Sequence, residues 1–231
     1  MRSIPATPSP AATVVLLREP AGRLEVLMVH RDSKGFFGGL VVFPGGGVDD
    51  IDATPLAMSV VSSDARDRVH RAAALRELIE EAGLMLIDGE AVPGPHSRGE
   101  DIYVDLRDRG IVLDGDQLTL VSRWVTPESA PRRFDARFYV AAVESHPPVR
   151  IDTAELTAYD WVTPAQALER YESGDWQMFL PTVAHLRWLE RRENVADVLA
   201  AAKGADGRTL GEPRRMEDGS IVPLLLPVDI Q

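Results

Sequence analysis

Glu77, Glu80 and Glu81 are spaced so that on a helix their side chains project from one face, one above another. Carboxylates held that close repel one another unless cations sit among them. Hard divalent ions such as magnesium take oxygen ligands, commonly one or two carboxylates together with the phosphates of a substrate. The acidic face therefore reads as a platform for a metal ion and a phosphorylated molecule. The plainer reading is a solvated helix surface on which Arg76 and Glu80 form an ordinary i, i+4 ion pair. Upstream lies Phe43-Pro44-Gly45-Gly46-Gly47. Its glycines fit a tight turn needing positive φ, or a backbone that approaches a phosphate or metal with a carbonyl turned inward.

Leu75, Leu78, Ile79 and Ala82 fall at i, i+3, i+4 and i+7, an apolar stripe that would hold this helix against a sheet. The helix is expected to start near Asp64, capped by Ser63 or Asp64, and to stop at Gly83. Before it, 12–17 and 24–29 read as strands of a hairpin around Glu19-Pro20-Ala21-Gly22, and 40–43 as a third strand entering the glycines. The stretch from Asp49 to Ser63 has no periodicity and reads as an irregular excursion. After the helix come a short strand at 84–86, a polar stretch with some helix at 102–107, and strands at 117–125, 136–143 and around Tyr159-Asp160-Trp161. Thr163 caps a helix that has Pro164 in its first turn, and two more helices follow at 181–190 and 194–203.

With 231 residues, 45% of them hydrophobic, the chain is long enough for one elaborated domain with a full core. The division expected is a domain over 1–203, with an insertion at about 53–68, and an extended proline-bearing tail over 204–231. Cysteine is absent, which excludes disulfides and thiolate chemistry. A formal net charge of −11 argues against a nucleic-acid or anionic-membrane partner, and a small anion bridged by metal stays compatible. No apolar run is long enough to span a membrane and no targeting segment is visible, so the cytoplasm is the expected compartment. The five histidines are scattered without zinc-site spacing, and no nucleophile elbow, Walker loop or dinucleotide fingerprint occurs.

Arg76-Glu77-Leu78-Ile79-Glu80-Glu81-Ala82-Gly83-Leu84, after a strand ending in Phe43-Pro44-Gly45-Gly46, resembles the box of the Nudix hydrolases, Gly-x5-Glu-x7-Arg-Glu-aliphatic-x-Glu-Glu-x-Gly-aliphatic. The box's first glutamate is Asp52 here, and 23 residues rather than seven separate it from Arg76, an insertion of about 16. Within the family the likeness is to the branch of the peroxisomal coenzyme A diphosphatases, carried by Val26 to Arg31, by Ser122-Arg123-Trp124-Val125-Thr126-Pro127, by Arg133 to Tyr139 and by Trp161-Val162-Thr163-Pro164. Where coenzyme A-specific members have an arginine between the Arg31 and Gly39 positions, this chain has Lys34, one residue out of spacing.

The resemblance implies a Nudix-type α/β/α sandwich with a mixed central sheet. It implies a Mg2+- or Mn2+-dependent hydrolase that cleaves the diphosphate of a nucleoside diphosphate derivative, coenzyme A or acyl-coenzyme A first, ADP-ribose or NADH second. A fold that senses nucleotides without cutting them is the non-enzymatic alternative, and homodimers are common in the family. Glu77, Glu80, Glu81 and the Gly46 carbonyl would hold metal, Glu77 or a later glutamate such as Glu144 or Glu155 would handle the water's proton, and Arg76 would hold the glutamates in place. Arg31 would bind substrate, and Arg123 and Arg133 could clamp phosphates, since guanidinium matches phosphate oxygens. For those last two, surface ion pairing is an equal alternative.

Overall fold

The computed structural model describes residues 6–34, 38–128, 130, 132–144, 148–204, 209–210, 214–215 and 221–222. Its main sheet is built on β1 (Ser9–Arg18), which pairs antiparallel with β2 (Glu25–Arg31) on one side and parallel with β10 (Phe134–Ala142) on the other. A strand with neighbours on both sides and helices above and below must be apolar on both faces. Val14 and Leu16 accordingly enter one core and Val15 and Leu17 the other. Outward from β2 lies β11 (Leu156–Val162), and outward from β10 lies β9 (Thr119–Val125), both antiparallel. Helix α2 (Arg68–Ala82) covers one face, and α4 (Pro164–Glu172), α5 (Leu180–Glu190) and α6 (Val195–Gly204) supply the core on the other. This is the α/β/α sandwich with a mixed sheet that the sequence implies.

Three local expectations change. The glycine triplet is a short strand, β4 (Gly45–Gly47), paired antiparallel with Ala11, Ala12 and Thr13 of β1, where a turn was one of the readings. Glycine is needed there for close approach: a Cβ on Gly45 would stand 2.5 Å from the Ala12 carbonyl oxygen, and one on Gly46 2.6 Å from the Glu77 carboxylate. Helix α2 begins at Arg68, four residues later than expected, because Ser63 caps the turn at Ala65 instead and Asp67 is taken by Arg71 and Tyr139. Its stop at Gly83, with φ 66° and its N–H on the Ile79 carbonyl, is the one expected.

The stretch read as irregular is ordered. A 3-10 turn over Asp50–Ala53 leads to α1 (Pro55–Val60), capped by Thr54, whose hydroxyl accepts from the Ala57 N–H at 3.2 Å. A short strand, β5 (Val61–Ser62), then pairs parallel with β8 (Leu113–Asp114). Helix α3 (Glu100–Asp108) follows the hairpin of β6 (Leu84–Ile87) and β7 (Glu90–Pro93) and packs beside α1. The insertion and the segment around α3 thus form one lobe next to α2. Arg68 pins its near end by donating to the carbonyls of Met58 and Val61. Of the expected tail, Gly204 ends α6, Thr209–Leu210 pairs parallel with β9 and Arg214–Arg215 with Ile221–Val222, and the rest lies outside the described residues. Among the described residues no helix is long and apolar enough to cross a membrane.

Candidate active site

The last two turns of α2 lie beneath β4, and Glu77 and Glu81 meet its glycine backbone there. Glu81 is buried and clamped: its Oε2 accepts from the Gly45 N–H at 2.8 Å and its Oε1 from Arg31 at 2.5 Å. The same Arg31 guanidinium donates to the Gly45 carbonyl at 3.0 Å. Glu77 lies against Gly46 and accepts from Arg76 at 2.8 Å. Glu80 accepts from Arg76 at 3.2 Å and from the Gly99 N–H at 2.8 Å. Glu77 and Glu81 thus lie at the glycine strand, and Glu80 is turned towards the Gly99 N–H at the start of α3.

Arg76 stands behind them, 2% exposed, with all five of its N–H groups engaged. Two serve Glu77 and Glu80, one the Gly47 carbonyl, and two grip Asp52 at 2.8 and 3.0 Å. Asp52 is fully buried and also accepts from the Asp49 N–H at 2.8 Å and from the Tyr103 hydroxyl at 2.5 Å. The insertion therefore leaves Asp52 at Arg76, because the chain leaves through α1 and returns to α2 on the same side.

Burial makes these charges costly. It pushes the Glu81 carboxyl up to about 8, with Arg31 pulling it back and Glu77 adding to the rise. It likewise lifts Glu77 to about 7, against Arg76 and with the help of Glu80. Burial works against the Arg76 cation too, but the Asp52 bonds and the Glu77 and Glu80 charges outweigh it and raise its pKa. Four carboxylates, those of Asp52, Glu77, Glu80 and Glu81, face two guanidiniums, those of Arg76 and Arg31. When all are ionised, two negative charges remain unbalanced.

Among the described residues no three carboxylate or histidine side chains already stand at metal-holding distances, since arginine and backbone donors occupy their oxygens. The donor set nevertheless fits a hard divalent cation: oxygen ligands only, from one helix face under a glycine strand, with a charge excess that one such ion would cancel. Arg76 is locked in the interior. Arg31 lies nearer the surface, its side chain 20% exposed.

At the rim, Glu155 stands 3.7 Å from Arg31 and accepts from Arg98 at 3.1 Å, and Arg98 also pairs with Asp152. A cavity of about 200 Å³ opens here, lined by Glu80, Ser97, Arg98, Arg150 and Asp152 among others. Of the later glutamates, Glu155 is thus at the site, whereas Glu144 is exposed past the end of β10 and no described contact brings it to α2. Arg123 and Arg133 are placed elsewhere. Arg123 sits on β9, three strands from Gly46 or about 14 Å at the usual strand spacing, and grips Asp135 at 2.6 and 2.5 Å. Arg133 donates to the carbonyls of Thr126 and Ala6, tying the start of the chain to the β9–β10 connection. Lys34 is 90% exposed with its ammonium 3.6 Å from Asp32. Sequence reasoning missed Tyr103, Arg98 and Gly99. Only the apolar spacing of Ile102, Tyr103 and Leu106 hinted that this polar stretch has a buried side.

Known proteins resemble the chain over most of its length. The NUDIX domain family model matches residues 7–180. The crystal structure of a NUDIX hydrolase from Alicyclobacillus acidocaldarius superposes with a TM-score of 0.73 at 30% identity, covering 84% of this chain and 96% of that one. A Caenorhabditis elegans protein bearing the designation nudix hydrolase 7 is 28% identical over 190 residues, 78% of this chain and 60% of its own length. Human acyl-coenzyme A diphosphatase NUDT19 is 27% identical over 156 residues, 57% of this chain and 42% of its own. The chain thus spans about half the length of these two relatives.

Proposed function

Because the chain belongs to the Nudix hydrolase family, we propose that it uses a divalent cation to hydrolyse the diphosphate of a nucleoside diphosphate derivative, with coenzyme A or acyl-coenzyme A the first substrate to test. The observation that carries this reading is the placing of Glu77 and Glu81 at the Gly45–Gly47 strand, with Glu80 beside them and Arg76 locked behind Glu77 and Glu80. Glu80 and Glu81, helped by Glu77 and the Gly46 carbonyl, would hold Mg2+ or Mn2+. Bound there, such an ion supplies charge that stabilises the diphosphate and lowers the pKa of water.

The protein's own groups do the rest. Arg76 aims Glu77 and Glu80, and Asp52 keeps Arg76 from turning. Arg31, released from Glu81, and Arg98, released from the half-exposed Glu155, lie at the mouth where an incoming diphosphate needs cations. The proton of the attacking water falls to Glu77 or to Glu155, and the pH–rate profile of Glu155→Gln separates the two.

The human relative's name supports the coenzyme A choice. Exposed Lys34, standing where coenzyme A-specific members have an arginine, keeps ADP-ribose and NADH as the second choice. A sensor that no longer cuts is disfavoured, because all three box glutamates are present and packed. The test is to incubate the protein with coenzyme A, an acyl-coenzyme A, ADP-ribose and NADH in Mg2+ or Mn2+ and weigh the products. Cleavage at the diphosphate, absent from Glu81→Gln, is expected. Intact substrates throughout would contradict the proposal.

A further inference from the structure

Tyr103 is a component of the site that lies outside the glycine strand and α2. It comes from α3, its side chain is fully buried, and its hydroxyl reaches Asp52 Oδ1 at 2.5 Å. That bond completes Asp52: Oδ1 accepts from Arg76 Nε and Tyr103, and Oδ2 from an Arg76 terminal nitrogen and the Asp49 N–H. Four acceptor positions meet four donors, so the carboxylate has one orientation and so does the arginine. Arg76 in turn fixes Glu77 and Glu80. Helix α3 touches the face a second time through its cap residue Gly99, whose N–H holds Glu80 and whose φ of 55° suits glycine. The lobe built from the insertion and α3 is therefore fastened to the acidic face at two points.

We propose that Tyr103 is a positioning residue of the metal face, its hydroxyl filling the space that a side chain one methylene longer than Asp52 would need, and so fixing the aim of Arg76 on Glu77 and Glu80. The inference rests on reading that face as a divalent-cation platform. A buried tyrosine can also be core whose hydroxyl merely needs a partner. The two differ in sign when Asp52 is lengthened. If the hydroxyl fills the missing space, Asp52→Glu must collide with it, and Tyr103→Phe must relieve the collision. A tyrosine that only supports the core leaves Mn2+ affinity unchanged when its hydroxyl is removed.

The experiment titrates Mn2+ into the full-length protein by calorimetry without substrate, with thermal midpoints alongside, for the wild type, Y103F, D52E and D52E/Y103F. Groups hydrogen-bonded directly to metal ligands are worth about 10- to 100-fold in metal affinity, and Tyr103, which acts through Asp52 and Arg76, falls at the lower end. Y103F is expected to weaken Mn2+ binding about tenfold, D52E to weaken it more, and the double variant to bind more tightly than D52E. Wild-type affinity in Y103F, or a double variant no better than D52E, would overturn the inference while leaving the platform standing. A wild type that binds no Mn2+ would remove the platform itself. If Y103F does not fold, the comparison of D52E with D52E/Y103F decides alone.

Discussion

Two buried polar networks lie on opposite faces of the same sheet, and they solve burial in opposite ways. On the α5 side, His185 is fully buried, with Nδ1 2.6 Å from the Pro181 carbonyl and Nε2 2.8 Å from the Ser122 hydroxyl. A carbonyl only accepts, so Nδ1 carries the hydrogen, Nε2 accepts from Ser122, and Ser122 accepts from Trp124 Nε1 at 3.1 Å. This network carries no charge, and the ring is stacked on Phe138 at 4.4 Å. Burial drives the histidine pKa down to about 4. On the α2 side carboxylates meet guanidiniums, with the Tyr103 hydroxyl and backbone groups filling the remaining positions; the carboxylates outnumber the guanidiniums, and one edge stays open at Arg31 and Arg98. A neutral network can be sealed and forgotten. A charged one with an excess is kept where a further charge must come and go.

Glu81→Gln should break the comparison most severely. It is expected to lower turnover at least about a hundredfold, since metal charge stabilisation is worth several kcal/mol, while the thermal midpoint moves little. Arg76→Met comes next. Removing one partner of a buried ion cluster costs about 3–5 kcal/mol, which denaturant unfolding would read, and metal binding should go with it. His185→Leu strands the Ser122 and Trp124 donors, for about 1–3 kcal/mol, and should leave Mn2+ affinity untouched. An equal loss of Mn2+ binding in both variants would show that the networks are not independent.

The two networks should also give opposite slopes with pH. His185 has a folded pKa near 4 against an ordinary 6.5, so the unfolded chain takes up more protons between these values. Its contribution to stability is therefore full above 6.5 and lost as pH falls towards 4. Glu77 and Glu81 are raised from 4.5 to about 7 and 8, so here the folded chain holds the extra protons. Chelator-treated protein should lose stability as pH rises from 4.5 through 8, and added Mg2+ should restore it at pH 8. Thermal midpoints across this range, with His185→Leu and Glu81→Gln as the two controls, would separate the slopes.

What the sequence made legible was local. The glutamate spacing, the stop at Gly83 and the Thr163–Pro164 cap depend on neighbours within a few residues, and the structure keeps them. The glycine triplet was ambiguous because its partner strand lies more than 30 residues upstream and its neighbour Glu77 about as far downstream. Helix α1 had a readable signal in Thr54-Pro55, which the apparent lack of periodicity hid. Tyr103 was invisible because its partner is 51 residues away. Arg123 and Arg133 show the converse. Their type suits phosphate, but pairing to Asp135 and to two carbonyls is a fact of the fold alone.

The central claim is that the α2 glutamates under the glycine strand bind a divalent cation. Following free Mn2+ by electron paramagnetic resonance as protein is added tests it most directly. The account predicts saturable binding by the wild type that Glu81→Gln loses. Free Mn2+ undiminished by the wild type, or captured equally by Glu81→Gln, would contradict it.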